Sequence, residues 1–178
     1  MAFPDEIITE SELGSSVRTK VNRGLSTQGL KVAASGLAGS TSIPDGAWTT
    51  IVPTVFASNN AGATYSTGVI TMPAAADGLW LINIGMKWKN DQGGLAKHRR
   101  RLRLSTSAGA GVQEIPELLF DPAMGDLTED SVHNGFIILA LPFFGSIRAF
   151  KIEAWQNSGI AVNILTSAFT MIRLGDNQ

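Results

Sequence analysis

The sequence predicts an all-β protein, an antiparallel sandwich of the jelly-roll type. From Lys31 onward, short apolar or alternating runs are separated by clusters of glycine, asparagine, aspartate and proline, which is typical of a sandwich with many turns. Nothing alternates with these runs that would supply the helices of a parallel sheet. The 19 glycines suit tight turns, and a chain of 178 residues can bury a core without a metal or a disulfide.

About eight or nine strands are predicted, and they follow one another along the chain after residue 30. The predicted strands are Leu30–Ser35, Trp48–Val55, Gly68–Met72, Leu79–Trp88, Arg99–Ser105, Val112–Leu119, Gly135–Leu141, Ala149–Gln156 and Val162–Ile172.

The stretch GLWLINIGMKWKN, residues 78–90, shows the clearest alternation, with a large apolar side chain at every second position. This period of two places those side chains on one face of a strand. The intervening positions begin apolar, at Leu79 and Leu81, and then become polar. The last predicted strand, in VNILTSAFTMIRL, is also apolar on both faces. Because the interior of a sandwich covers one face of each sheet, the second apolar face requires another cover.

Residues 1–30 differ in character from the rest, and we predict that they form a short attachment segment, partly helical or extended, ahead of a jelly-roll domain at 31–178. The segment is polar, and Leu13, Val17 and Val21 recur every four residues. That stripe is too narrow for a stable helix alone in water, so docking on a partner is favoured over a frayed tail. The candidate attachment residues are Ile7, Ile8, Leu13, Val17 and Val21.

The composition excludes several classes of protein. Charged residues make up 16% of the chain, against roughly 25% in an average soluble domain, and a surface so poor in charge favours contact with another subunit. The net charge of -1 gives no reason to expect nucleic acid as a partner. Without cysteine there are no disulfides and no thiolate metal sites. The start MAFPDEIITE does not resemble a secretory signal, and no apolar run is long enough to predict insertion in a membrane.

The sequence predicts no catalytic residues, no cofactor and no metal site, and therefore no enzyme. The two histidines, His98 and His133, lie outside any HExxH pair. No GxSxG, Walker or GxGxxG motif occurs. The acidic stretch DPAMGDLTED does not have the spacing of an EF-hand, and we interpret it as a solvated loop in preference to a cation site or the carboxylate pair of a glycosidase.

The run KHRRRLRLS is the sharpest local concentration of charge. On a strand, Arg99, Arg101 and Arg103 share one face, which makes them a candidate basic patch for binding an acidic partner such as a host surface glycan or protein. Ordinary alternatives are a solvated strand that discourages edge pairing and an ion pair between subunits.

The order of four motifs resembles phage-encoded jelly rolls whose fold is similar to that of the complement globular head and the tumour-necrosis-factor ligands. These motifs are SIPDGAWTTIV, GVITMPAAADGLWLINIGMKWK, RRRLRLS and FKIEAWQNSGIAVNILTSAFTMIRL. The resemblance extends from Lys31 to Leu174 and is a pattern of strands, without a catalytic signature. Unlike the animal members, this sequence has no Gly-X-Y repeat ahead of the predicted domain.

The resemblance implies a homotrimer packed through apolar sheet faces, located on the surface of a virion, on the phage head or tail. We expect a short fibre or spike, attached to another virion protein by its N-terminus, that displays the jelly roll toward the host. The alternative is a trimeric decoration protein that stabilises the capsid, and a distant alternative is a carbohydrate-active enzyme. The candidate residues for the trimer interface are Trp88, Phe143, Phe144, Phe169 and Met171.

Overall fold

A computed structural model describes residues 31–35, 40–89, 98–109, 111–120, 130–142 and 146–175. Within these ranges there are twelve strands, and a 3₁₀ turn at Ala74–Ala76 precedes the seventh. The strands are β1 (Lys31–Ser35), β2 (Thr41–Ile43), β3 (Thr49–Thr50), β4 (Phe56–Asn59), β5 (Thr64–Ser66), β6 (Val69–Thr71), β7 (Gly78–Trp88), β8 (His98–Thr106), β9 (Gly111–Phe120), β10 (Ser131–Leu141), β11 (Ala149–Gln156) and β12 (Val162–Gly175).

The strands form two antiparallel sheets, which pack face to face as a jelly-roll sandwich. Sheet A has the order β10–β7–β12–β1–β4, with β2 paired to the start of β12. Sheet B has the order β5–β6–β11–β8–β9, with β3 paired to the end of β11. The prediction of an all-β antiparallel jelly roll is confirmed.

The core lies between the two sheets, and β7 supplies its centre. The five large side chains of β7 that alternate along residues 80–88 are all buried, as the period of two predicts. Trp80 is completely buried, and its indole Nε1 donates a hydrogen bond of 2.8 Å to the carbonyl oxygen of Ala76. A buried indole N–H needs such a partner, so the 3₁₀ turn and the core position of Trp80 depend on each other.

The sandwich is closed at one side where β9 of sheet B approaches β10 of sheet A. Gly135 of β10 lies directly against Ile115 of β9, which is 3% exposed. A Cβ atom added to Gly135 would lie 2.0 Å from the Cγ2 atom of Ile115. The missing side chain at position 135 therefore allows the two sheets to meet at this edge.

Elsewhere a cluster of charged groups joins the sheets. Asp77, just before β7, accepts hydrogen bonds of 2.6 Å from both Nε and Nη2 of Arg148, which directly precedes β11. The hydrogen bonds from Arg148 hold the pKa of the Asp77 carboxyl below its usual value. Arg173 of β12 donates to the backbone oxygen of Asp77. Gly78 follows at φ 147°, and a Cβ there would lie 2.4 Å from the oxygen of Gly175, so this junction requires glycine.

One predicted strand is wrong and three short strands were not predicted. The stretch Trp48–Val55 does not form one strand, because its backbone pairing with β11 ends at Ile51, whose N–H donates to the oxygen of Ile152, and the chain next pairs in sheet A, as β4. Pro53, which lacks an N–H group, interrupts the stretch. The short strands β2, β4 and β5 have three or four residues each, too few for a pattern of alternation to be visible.

Candidate functional site

The main candidate site is the outer face of sheet A, which we call the open face and define by the outward side chains of β10, β7 and β12. In its apolar half, Ile138 lies opposite Leu81, and Leu81 lies opposite Ile172. Phe136 occupies the neighbouring row and is 69% exposed. Ile138, Ile172 and Leu174 are 51%, 42% and 52% exposed. These side chains form a continuous apolar surface that no described residue covers.

A β-bulge determines which side chains of β12 reach the open face. Ile164 is buried, but the register shifts between Ile164 and Thr166. After this bulge the inward positions are the odd-numbered ones, so that Phe169 and Met171 enter the core. Ile172 is consequently directed outward.

The other half of the open face contains a shallow depression of about 530 Å³, lined by small and polar side chains and by Val132, which is 58% exposed. Gly85 lies at its base, and a Cβ there would lie 2.4 Å from Oδ1 of Asn134, whose side chain reaches across from β10. At one end of this half, Lys87 forms a salt bridge of 3.0 Å with Asp130. Among the outward side chains described on β10, β7 and β12, Lys87 alone carries a charge. The open face thus presents an apolar ridge beside a recess whose lining combines small and polar side chains with the apolar Val132.

The predicted interface residues are not those that form this surface. Trp88, Phe169 and Met171 are buried at 0%, 2% and 0% exposure inside the sandwich of the single chain, so they offer no surface to a second subunit and that prediction is wrong for them. These three side chains point into the sandwich. On β12 their direction follows from the bulge after Ile164, which exchanges the inward and outward positions. Phe143 and Phe144 lie outside the described residues. The residues that sequence reasoning missed are Phe136, Ile138, Ile172 and Leu174.

A signal for the missed residues is present in the sequence. The run GFIILAL in β10 is apolar at both odd and even positions, which is the pattern of a strand covered on both faces. The structure buries Ile137 and Leu139 and leaves Phe136 and Ile138 outside. The sequence of β10 is equally compatible with Phe136 and Ile138 inside, because the pattern shows that both faces are apolar but not which of them is interior.

The arginines of β8 separate by face as predicted, with Arg100 buried and Arg101 and Arg103 directed outward. Arg103 forms a salt bridge of 2.7 Å with Glu153, and Arg101 pairs with Glu114. The backbone N–H of Arg99 donates to the side chain of Asn157 at 2.6 Å. Two of the three arginines in the predicted basic patch therefore form ion pairs with acidic residues of the same sheet.

Two tryptophans lie in the same region, on the outer face of sheet B. The rings of Trp48 and Trp155 have centroids 6.3 Å apart with an angle of 38° between their planes. The Arg101 guanidinium lies 5.4 Å from the ring centroid of Trp48 and 5.5 Å from that of Trp155. The Arg103 guanidinium lies 4.0 Å from the centroid of Trp48. We call Trp48, Trp155, Arg101 and Arg103, with Glu114 and Glu153, the tryptophan–arginine cluster.

The attachment residues between Ile7 and Val21, and most of the acidic stretch 121–130, lie outside the described residues. His133 is buried on β10. Within the described ranges, no group of three or more histidine, aspartate or glutamate side chains is placed to hold a metal ion. No helix in that part of the chain is long and apolar enough to cross a membrane.

No protein-family model matches this sequence, and no curated protein matches it. Solved structures do match. The chain is similar to Eiger TNF from S. frugiperda, with 14% identity and a TM-score of 0.54 over 85% of this chain and 96% of that chain. It is also similar to PRD1 vertex protein P5, with 17% identity and a TM-score of 0.53 over 82% of this chain and 73% of that chain. The fold is therefore a jelly roll of the tumour-necrosis-factor type, as the sequence motifs suggested.

Proposed function

We propose that this chain is a structural protein of a phage virion, without enzymatic activity, which assembles as a homotrimer through the open face of sheet A. The observation that carries the proposal is the exposed apolar surface around Phe136 and Ile138. A continuous apolar patch on a sheet face is unusual on a soluble monomer and is typical of a contact between proteins.

A second copy of the chain is the occupant that fits this face best. β10, which carries Phe136 and Ile138, is the edge strand of sheet A and is 11 residues long. Long apolar edges promote unspecific pairing unless a defined neighbour covers them. A ridge beside a recess suits a contact in which the ridge of one copy meets the recess of the next, and such a head-to-tail contact closes into a ring when its rotation allows. The family resemblance favours three copies.

The likeness to a vertex protein supports a location on a virion. Within that class, the leading role is a short fibre or spike that is attached by residues 1–30 and displays the sandwich toward the host. A decoration protein that covers and stabilises the capsid is the second candidate. It is favoured by the same apolar face, because a trimer on a shell would use the same contacts between copies.

Assembly is tested by sedimentation velocity on the full chain and on the double variant Phe136→Ser, Ile138→Ser. We expect three times the chain mass for the wild type and a monomer for the variant, because both side chains lie outside the core. Ile160→Ser is the matched control, since Ile160 is 43% exposed in the turn between β11 and β12 and its loss should leave the trimer intact. A wild-type monomer at micromolar concentration would contradict the proposal.

The role on the particle is tested by locating the protein with labelled antibodies on purified virions. A spike should be labelled at a vertex or the tail, and the isolated trimer should compete with infection. A decoration protein should be labelled over the whole head, and capsids that lack it should lose thermal stability. Absence of the protein from purified virions would contradict both roles.

A further inference from the structure

The tryptophan–arginine cluster on the outer face of sheet B combines two indole rings with two ion pairs. Trp80 and Trp88 are completely buried, whereas Trp48 and Trp155 remain partly exposed at the surface. A partly exposed indole offers an apolar ring and one donor, which is the combination that mixed apolar and polar ligands need.

We propose that the tryptophan–arginine cluster binds an acidic saccharide. A sugar ring has an apolar face of C–H groups, which packs on an aromatic ring, and a rim of hydroxyl oxygens, which accept hydrogen bonds. The two indoles lie 6.3 Å apart at an angle of 38° with the Arg101 guanidinium over both rings, so the exposed parts of the rings and this guanidinium together offer a surface for such a sugar ring. This inference goes beyond the proposed function and does not depend on it, because the cluster is on the sheet opposite the open face.

The two arginines of the cluster have different roles. Arg103 and Glu153 are only 15% and 8% exposed, so this pair forms the floor of the cluster and fixes Trp48 above it. Arg101 and Glu114 are 35% and 40% exposed. A pair in water is held weakly, so the Arg101 guanidinium can exchange Glu114 for a carboxylate of a ligand while it stays beside both rings.

The positive charges on β8 and β11 favour an anionic ligand. Within the cluster the two arginines balance the two glutamates. Among the outward side chains described on β8 and β11, Arg99 and Lys151 add two positive charges to those of the cluster. A guanidinium matches a carboxylate with two parallel hydrogen bonds, so a uronic acid fits better than a neutral sugar.

The test is a titration of the full chain with tetragalacturonate, an acidic tetrasaccharide, followed by tryptophan fluorescence and by calorimetry. Neutral galactotetraose serves as the comparison ligand. We expect saturable binding of tetragalacturonate and binding of the neutral ligand that is about tenfold weaker or more, since hydrogen bonds between charged groups are the stronger ones. Absence of saturable binding, or equal binding of the two ligands, would overturn the proposal.

Two variants locate the site. Arg101→Gln should weaken tetragalacturonate binding by about tenfold, and Trp155→Ala should weaken it at least as much. Lys89→Gln removes the same charge from an exposed residue that follows β7 in sheet A, and it should change binding by less than about twofold. Circular dichroism checks that each variant is folded, and because Arg101 is partly exposed, Arg101→Gln remains informative if Trp155→Ala does not fold. Unchanged binding by Arg101→Gln would overturn the proposal.

Discussion

Replacing Gly135 by alanine tests how closely the two sheets approach at the edge of the sandwich. The new Cβ would lie 2.0 Å from Cγ2 of Ile115 and 3.2 Å from both Cβ and Cδ1 of that residue. The Cγ2 methyl is attached directly to Cβ and cannot move without a change of rotamer or of backbone. Such overpacking costs about 1–3 kcal/mol, which lowers the melting temperature of a domain of this size by about 2–12 °C.

The assay is urea unfolding at one fixed protein concentration, because self-association would make the apparent stability depend on concentration. Gly175→Ala is the matched control, since a Cβ at Gly175 meets no atom within 4 Å. We expect the control to leave the free energy of unfolding within about 0.5 kcal/mol of the wild type.

The Gly135→Ala substitution in an Ile115→Ala background tests whether the contact with Ile115 causes the loss of stability. Ile115→Ala alone should cost about 2–5 kcal/mol, because it leaves a cavity in the core. In that background the methyl group of Gly135→Ala enters the space that the isoleucine vacated, so it should cost nothing or restore some stability. If Gly135→Ala cost the same in both backgrounds, the contact between β9 and β10 would not be the source of its effect.

Two further predictions concern the ends of β7. Hydrogen bonds from Arg148 hold the pKa of the Asp77 carboxyl below its usual value, so this carboxylate stabilises the fold at neutral pH, and the contribution is lost as the pH falls through the folded pKa. Asp77→Asn should therefore have a lower free energy of unfolding than the wild type at pH 7, and urea unfolding should show a smaller difference at pH 3. An equal difference at both pH values would contradict this reasoning. Trp80→Phe removes the donor to the oxygen of Ala76 and should lower the free energy of unfolding by about 1–3 kcal/mol, measured by thermal unfolding. The control Trp155→Phe, at the surface, should lower it by less than about 1 kcal/mol. Equal losses would contradict the role of that hydrogen bond.

The sequence was sufficient for the fold class and for the long strands. The bounds of β11, Ala149–Gln156, agree with the prediction, and those of β7 differ by one residue. In both, alternation extends over eight residues or more, which distinguishes a strand from other structures. The interruption at Pro53 could also have been recognised, because proline cannot donate to a sheet ladder.

The candidate site was only partly predictable, and β12 shows the reason. Alternation reveals two sets of side chains, but the choice of the interior set depends on register, and a single bulge exchanges the sets. The bulge after Ile164 left Phe169 inside and Ile172 outside. No residue in VNILTSAF signals a bulge, since the stretch contains neither glycine nor proline. The second apolar face was therefore correctly expected, while the residues assigned to it on β12 were not.

The outer face of sheet A carries exposed apolar side chains, whereas that of sheet B carries paired charges, and this difference favours different partners. Outward side chains of sheet A such as Phe136 and Ile138 remain exposed to water in the single chain. Contact with a second apolar surface would remove them from water, which is favourable. On sheet B, the charges of Arg103 and Glu153 are already compensated within the chain. Covering such a face permanently would cost desolvation without an equal hydrophobic gain. Permanent assembly is thus expected on sheet A, and reversible binding of a polar ligand on sheet B.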